Sequence, residues 1–133
     1  MRFFFYGTLK KGFPNHSLLK SANYSFIANA VTLKKYKLQI IGPRFSPRLF
    51  NNSHGRDAHQ IFGELYEVDS SKFLDELERG YHRKVIQVST HGYRGDNYHE
   101  ANVYFSNDAP CDFSIYFSNY TIDNSIIYRK RNC

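Results

Sequence analysis

Gln60-Ile61-Phe62-Gly63-Glu64-Leu65-Tyr66-Glu67-Val68-Asp69 reads most plainly as a β-strand running into a helix. The run is rich in aromatic and β-branched residues and alternates in polarity. Ile61, Gly63, Leu65 and Glu67 fall on one side; Phe62, Glu64, Tyr66 and Val68 fall on the other. Asp69 is placed to cap a helix carrying Phe73, Leu74 and Leu77 on one apolar face, and Gly80 ends that helix.

Outward from this unit, strands dominate. Arg2 to Tyr6 is short, apolar and stopped by Gly7, as a fully buried strand would be. Lys10 to Pro14 reads as a loop, and Asn15 as the cap of a short helix bearing Leu18 and Leu19. Ser25 to Leu33 and Tyr36 to Ile41 are further strands. Gly42-Pro43 and Ser46-Pro47 mark a loop, and Asn51 to Ala58 an exposed turn. Arg83 to Ser89 and His99 to Phe105 are strands separated by a turn at Gly92 to Asn97, and Phe113 to Tyr128 fits neither period. Strands outnumber helices and do not alternate with them regularly. The expected fold class is α+β: a small mixed or antiparallel β-barrel with short flanking helices, not a doubly wound parallel sheet.

The 133 residues fit a single domain, 1–133, and twelve Phe and eleven Tyr supply core volume without disulfides or metal. No apolar run approaches the roughly 18 residues of a membrane span, and the apolar stretch ending at Tyr6 is too short for a secretory leader. Cys111 and Cys133 read as free thiols in a reducing, cytoplasmic compartment. The net charge of +6 is dispersed apart from Arg129-Lys130-Arg131, which points to a basic soluble surface rather than specific nucleic-acid binding.

Most catalytic constellations are missing. The six histidines form no His-Glu-x-x-His unit, there is no Gly-x-Ser-x-Gly elbow, and Cys111 lies beside Asp112, which does not activate a thiol. Gly7-Thr8-Leu9-Lys10-Lys11-Gly12 lacks the ending of a P-loop. A glycine turn after a strand nevertheless exposes N–H groups that suit a carboxylate or an oxyanion, or else Gly7 simply permits a tight turn. Asp75 and Glu78 share a helix face. Glu78 is either a solvated helix end or a base raised by the unfavourable end of the helix dipole; Arg79 beside it would act oppositely.

The same residues carry a resemblance. Phe5-Tyr6-Gly7-Thr8-Leu9-Lys10, with Gly12, Pro14, Asn15 and His16, resembles the opening of the gamma-glutamylcyclotransferase family, closest to its gamma-glutamylamine cyclotransferase branch. Tyr36-Lys37-Leu38, Pro47, Gly63 to Asp69, and Leu74-Asp75-Glu76-Leu77-Glu78 before Tyr81-His82-Arg83 follow in that family's order, and Tyr128 to Asn132 resembles the branch's basic tail. The resemblance implies a catalytic Glu78 and a substrate-binding loop of Tyr6, Gly7, Thr8 and Leu9. It implies a γ-glutamyl amine as small-molecule substrate, γ-glutamyl-ε-lysine being one candidate, converted to 5-oxoproline and a free amine. It implies no cofactor and no metal. The expected state is a monomer or weak dimer, and the competing expectation is a family-fold protein that binds a small ligand or protein partner without turnover.

Overall fold

The computed structural model describes residues 1–13, 15–41, 46–51, 58–92, 95–110 and 116–121, with side chains at 91, 92, 95 and 96 left aside. The elements in chain order are β1 (Arg2–Phe5), a 3₁₀ helix (His16–Ala22), β2 (Tyr24–Thr32), β3 (Lys37–Ile41), β4 (Ser46–Phe50), β5 (Phe62–Val68), α1 (Lys72–Leu77), β6 (Tyr81–Gly92) and β7 (Gly95–Ser106). Five strands close a barrel in the order β1-β5-β2-β6-β7, and β3 and β4 form a separate two-stranded sheet. The barrel is mixed: β1 pairs antiparallel with β5 and closes the ring by a parallel contact of Phe3 with Asn102 on β7.

The apolar run of β1 has no polar face because both its faces are covered. Phe4 points into the barrel with Ala30, Leu65, Val88 and Val103. Phe3 and Phe5 point outward, into a second cluster with Leu19 from the 3₁₀ helix and Leu74 from α1. On β5, Leu65 faces inward while Tyr66 and Val68 join the outer cluster, so the strand's alternation separates two cores rather than core from solvent. Phe62 and Glu67 are exposed exceptions, and Glu67 lies 3.6 Å from Arg2. Gly63 is dictated by space: a Cβ there would lie 2.5 Å from the Phe5 carbonyl and 2.6 Å from the Phe4 ring.

Several local expectations are corrected. Ser46–Phe50 is a strand, not loop, with Pro47 opposite Ile40. A proline is tolerated there because a two-stranded sheet consists of edges. Leu38, Ile40 and Leu49 of this sheet join the barrel's inner cluster. Asp69 does not cap α1; the Ser70 hydroxyl accepts the Lys72 N–H at 3.2 Å. Asn15 precedes the 3₁₀ helix without capping it through its side chain. β6 and β7 extend beyond their apolar cores, with Gly92 opposite Gly95, because ladder hydrogen bonds continue through polar residues. Gly80 ends the helical turn as expected, with φ +86°. The expectations for Pro14, Gly42-Pro43, most of the 51–58 turn, His54, Cys111, the 113–128 segment apart from residues 116–121, Arg129 to Arg131 and Cys133 lie outside the described residues. Among the described residues no helix is long and apolar enough to cross a membrane.

Candidate active site

A cavity of about 610 Å³ opens where the end of β1, the C-terminal turn of α1 and the start of β4 meet. Its wall includes Tyr6, Gly7, Thr8 and Leu9 together with Glu78, so residues about seventy positions apart in the chain share one chamber. The remainder of the wall includes Asn15, Pro47, Leu77, Tyr81, Tyr104 and Tyr120.

The loop after β1 is held from every side. The Tyr6 hydroxyl donates to the Tyr104 carbonyl at 2.6 Å. The Lys10 N–H closes a turn onto the Gly7 carbonyl at 3.1 Å. Asn15 grips Thr8 twice, its N–H reaching the Thr8 carbonyl at 3.0 Å and its Nδ2 the Thr8 hydroxyl at 3.0 Å. His16 Nδ1 donates to the Leu9 carbonyl at 2.9 Å, which fixes its tautomer. The Lys11 N–H donates to Glu64 at 2.7 Å. Lys10 is buried, and its ammonium donates to the Tyr120 carbonyl at 2.6 Å and to Asn119 at 3.0 Å, lying 4.7 Å from the centre of the Phe13 ring. Burial lowers its pKa, and Glu64 partly restores it.

With its carbonyls turned into these bonds, the loop leaves N–H groups available. Among the described residues no carbonyl accepts from the N–H of Gly7, Thr8 or Leu9. Gly7 is required by a close approach rather than by an unusual φ, because a Cβ there would collide with the Pro47 ring. Gly7 opens the turn closed by Lys10, and the Pro47 contact adds a packing reason for a glycine there.

Glu78 directly follows α1. Its N–H donates to the Leu74 carbonyl at 2.9 Å and its carbonyl accepts from the Tyr81 N–H at 3.2 Å. Burial pushes its carboxyl from the ordinary 4.5 up to about 7. The upward direction is the expected one, and desolvation is its cause here. Arg79 is exposed, and no ion pair among the described residues involves Glu78, so the expected opposing effect of Arg79 is not seen. Burial also raises Tyr81 to about 12, with Glu78 contributing, and its hydroxyl donates to the Pro47 carbonyl at 3.3 Å. Asp75, on the same helix face as Glu78, accepts from the Tyr104 hydroxyl at 2.7 Å and from Arg83 at 3.2 Å.

Asn15, Tyr81, Tyr104 and Tyr120 were not identified as wall residues from sequence alone. Tyr81 lay in the matched motif, and Asn15 stands near the loop, but nothing local marks Tyr104 or Tyr120 as neighbours of Tyr6. Among the described residues no three His, Cys, Asp or Glu side chains are grouped to hold a metal ion.

A closed mixed barrel whose rim sets a glycine-bearing loop against one half-buried carboxylate defines the class: a small barrel with a cavity suited to acid–base chemistry. The family model described as gamma-glutamyl cyclotransferase, AIG2-like, matches residues 3–121, and the chain belongs to that family. A gamma-glutamylaminecyclotransferase of Bos taurus is 44% identical over 100 residues, covering 69% of this chain and 58% of that protein. Gamma-glutamylaminecyclotransferase A of Danio rerio is 33% identical over 141 aligned positions, covering 96% of this chain and 86% of its own. The crystal structure of an AIG2-like protein from Mus musculus superposes with a TM-score of 0.79 at 29% identity, covering 90% of this chain and 87% of that one. The match to the bovine protein thus spans less than two thirds of its length.

Proposed function

We propose that this chain is a cyclotransferase that converts a γ-glutamyl amine into 5-oxoproline and a free amine, with Glu78 as general acid–base and the Tyr6 to Leu9 loop as substrate cradle. The observation that carries the reading is the shared cavity: a carboxyl poised at about 7 faces a loop with available N–H groups. Family membership and the names of the relatives support it.

The substrate's α-ammonium gives a proton to Glu78. The freed nitrogen attacks the γ-carbonyl carbon of the same molecule and closes a five-membered ring. The carbonyl oxygen becomes an oxyanion, and N–H groups from Gly7 to Leu9 receive it. Collapse breaks the bond to the leaving nitrogen, which departs as an ammonium. Two protons in all pass from the α-nitrogen to the leaving nitrogen, and one carboxylate can carry each in turn. A carboxyl near 7 is matched to this shuttle at neutral pH, and such help is typically worth about 10²–10⁴-fold. Nucleophile and electrophile share one molecule, so the cavity's main task is to hold the folded conformer. Tyr81 is protonated at neutral pH, burial raising its pKa further, so the wall around Glu78 is lined by neutral hydroxyls.

The test is 5-oxoproline release from a panel of γ-glutamyl amines and γ-glutamyl dipeptides, with Glu78→Gln as control. Release from at least one amine, lost in the variant, is expected. No release from any member, or equal release by the variant, overturns the reading in favour of a binding protein without turnover.

A further inference from the structure

The two halves of the cavity are carried by different elements, and one residue joins them. Tyr104 sits on β7. Its main-chain carbonyl accepts the Tyr6 hydroxyl at 2.6 Å, one residue before Gly7. Its side-chain hydroxyl donates to Asp75 Oδ1 at 2.7 Å, three residues before Glu78 on the same helix face. Its ring stacks on Phe3 of β1, with centroids 6.0 Å apart and planes 20° apart.

Beyond Leu74 and the half-buried Phe73, which pack on the outer cluster, helix α1 has little to fix it. Six residues are too few for a helix to be stable alone. Only Leu74 is fully buried, while Leu77 is exposed and the N-cap residue Ser71 makes no side-chain cap. The second polar tie, Arg83 to Asp75, is longer at 3.2 Å and lies between partly exposed groups. Tyr104 is therefore the inner anchor of the turn that ends at Glu78.

We infer that Tyr104 is a positioning residue: through Asp75 on one side and Tyr6 on the other, it sets the distance between the Glu78 carboxylate and the Gly7 to Leu9 amides. The inference rests on the proposed reaction for its kinetic consequence, but not for its structural one. The titratable groups facing Glu78 are Tyr6, Tyr81 and Tyr104, phenols that are neutral at pH 7 and that burial pushes further up. The ionisation of Glu78 thus reports chiefly how well α1 keeps water away from it.

Tyr104→Phe removes only the hydroxyl and keeps the ring stack and the main-chain acceptor. With the variant folded, as judged by an unchanged far-UV spectrum, two readouts follow. The Glu78 titration, followed by carbon NMR on protein labelled at the glutamate carboxyls, moves down from about 7 towards the ordinary carboxylate range as α1 loosens and the carboxyl hydrates. The kcat for 5-oxoproline release falls about tenfold, in line with the sensitivity of such reactions to small misplacements. Asp75→Asn keeps an oxygen that accepts the Tyr104 hydroxyl and retains more of kcat than Asp75→Val, which does not. An unmoved Glu78 titration in folded Tyr104→Phe overturns the inference, and so does equal loss in Asp75→Asn and Asp75→Val. A wild type that releases no 5-oxoproline overturns the proposed reaction instead, and leaves the titration to decide the coupling.

Discussion

Replacing Glu78 with glutamine is expected to make the protein more stable in alkaline solution while abolishing turnover. Burial raises this carboxyl from 4.5 to about 7. A group whose pKa is raised on folding contributes stability that is complete below the unfolded value and is lost as pH climbs through the folded value. For Glu78 that window runs from about 4.5 to about 7. At 1.36 kcal/mol per pH unit the whole effect is about 3 kcal/mol, trimmed to about 2–3 kcal/mol because the carboxyl is only partly buried. Glutamine resembles the protonated acid in shape and does not titrate. The stability of Glu78→Gln minus that of wild type should therefore be under about 1 kcal/mol at pH 5 and rise to about 2–3 kcal/mol at pH 8. Urea unfolding of both proteins at the two pH values measures it, and any fixed cost of the new amide cancels in the comparison. A difference that does not change with pH would refute the reasoning, since Glu78 would then be ionising as freely in the fold as in the unfolded chain.

The same carboxyl sets the pH profile of wild type: kcat/KM should rise with pH through a midpoint near 7, and a profile flat down to pH 5 would count against Glu78 as the base. Gly7→Ala places a Cβ against the Pro47 ring; it should lower kcat/KM about 10²-fold, and adding Pro47→Ala should recover part of the loss in the same assay. Lys10→Met leaves the Tyr120 carbonyl without its ammonium donor; it should cost about 1–3 kcal/mol in urea unfolding and raise KM, and an unchanged unfolding midpoint would show that these bonds hold nothing in place. Leu74→Ala removes the buried foot of α1; a loss of about 2–5 kcal/mol in the same unfolding experiment is expected.

What could be read from sequence was what has a period or an ordered motif. β1 is short, apolar and bounded, β5 alternates cleanly, and the chamber's two poles, Tyr6 to Leu9 and Glu78, stood inside the motifs that carried the family resemblance. β4 was hidden by Pro47, which reads as a breaker but is harmless on an edge. The cap of α1 is not Asp69 because the backbone path makes Ser71 the N-cap residue, and Ser70 supplies the hydroxyl that the Lys72 N–H reaches. Glu78 owes its raised pKa to burial, and burial is a tertiary property that spacing does not encode. Tyr104 and Tyr120 reach the cavity through barrel closure and through Lys10, long-range contacts with no local trace.

The ring is closed by β1, which pairs with β5 on one side and touches β7 on the other. Sequence neighbours alone therefore cannot complete the barrel: residues 3 and 102 must meet first. Pairing across so long an intervening chain is paid for in loop entropy before it returns any contact energy, and topologies of this kind fold slowly. The hairpin of β6 and β7, being local, can form early; the chamber that unites Gly7 with Glu78 cannot. Appearance of 5-oxoproline-forming activity during refolding would then lag behind hairpin formation, and the reaction would serve as a clock for the last step of folding.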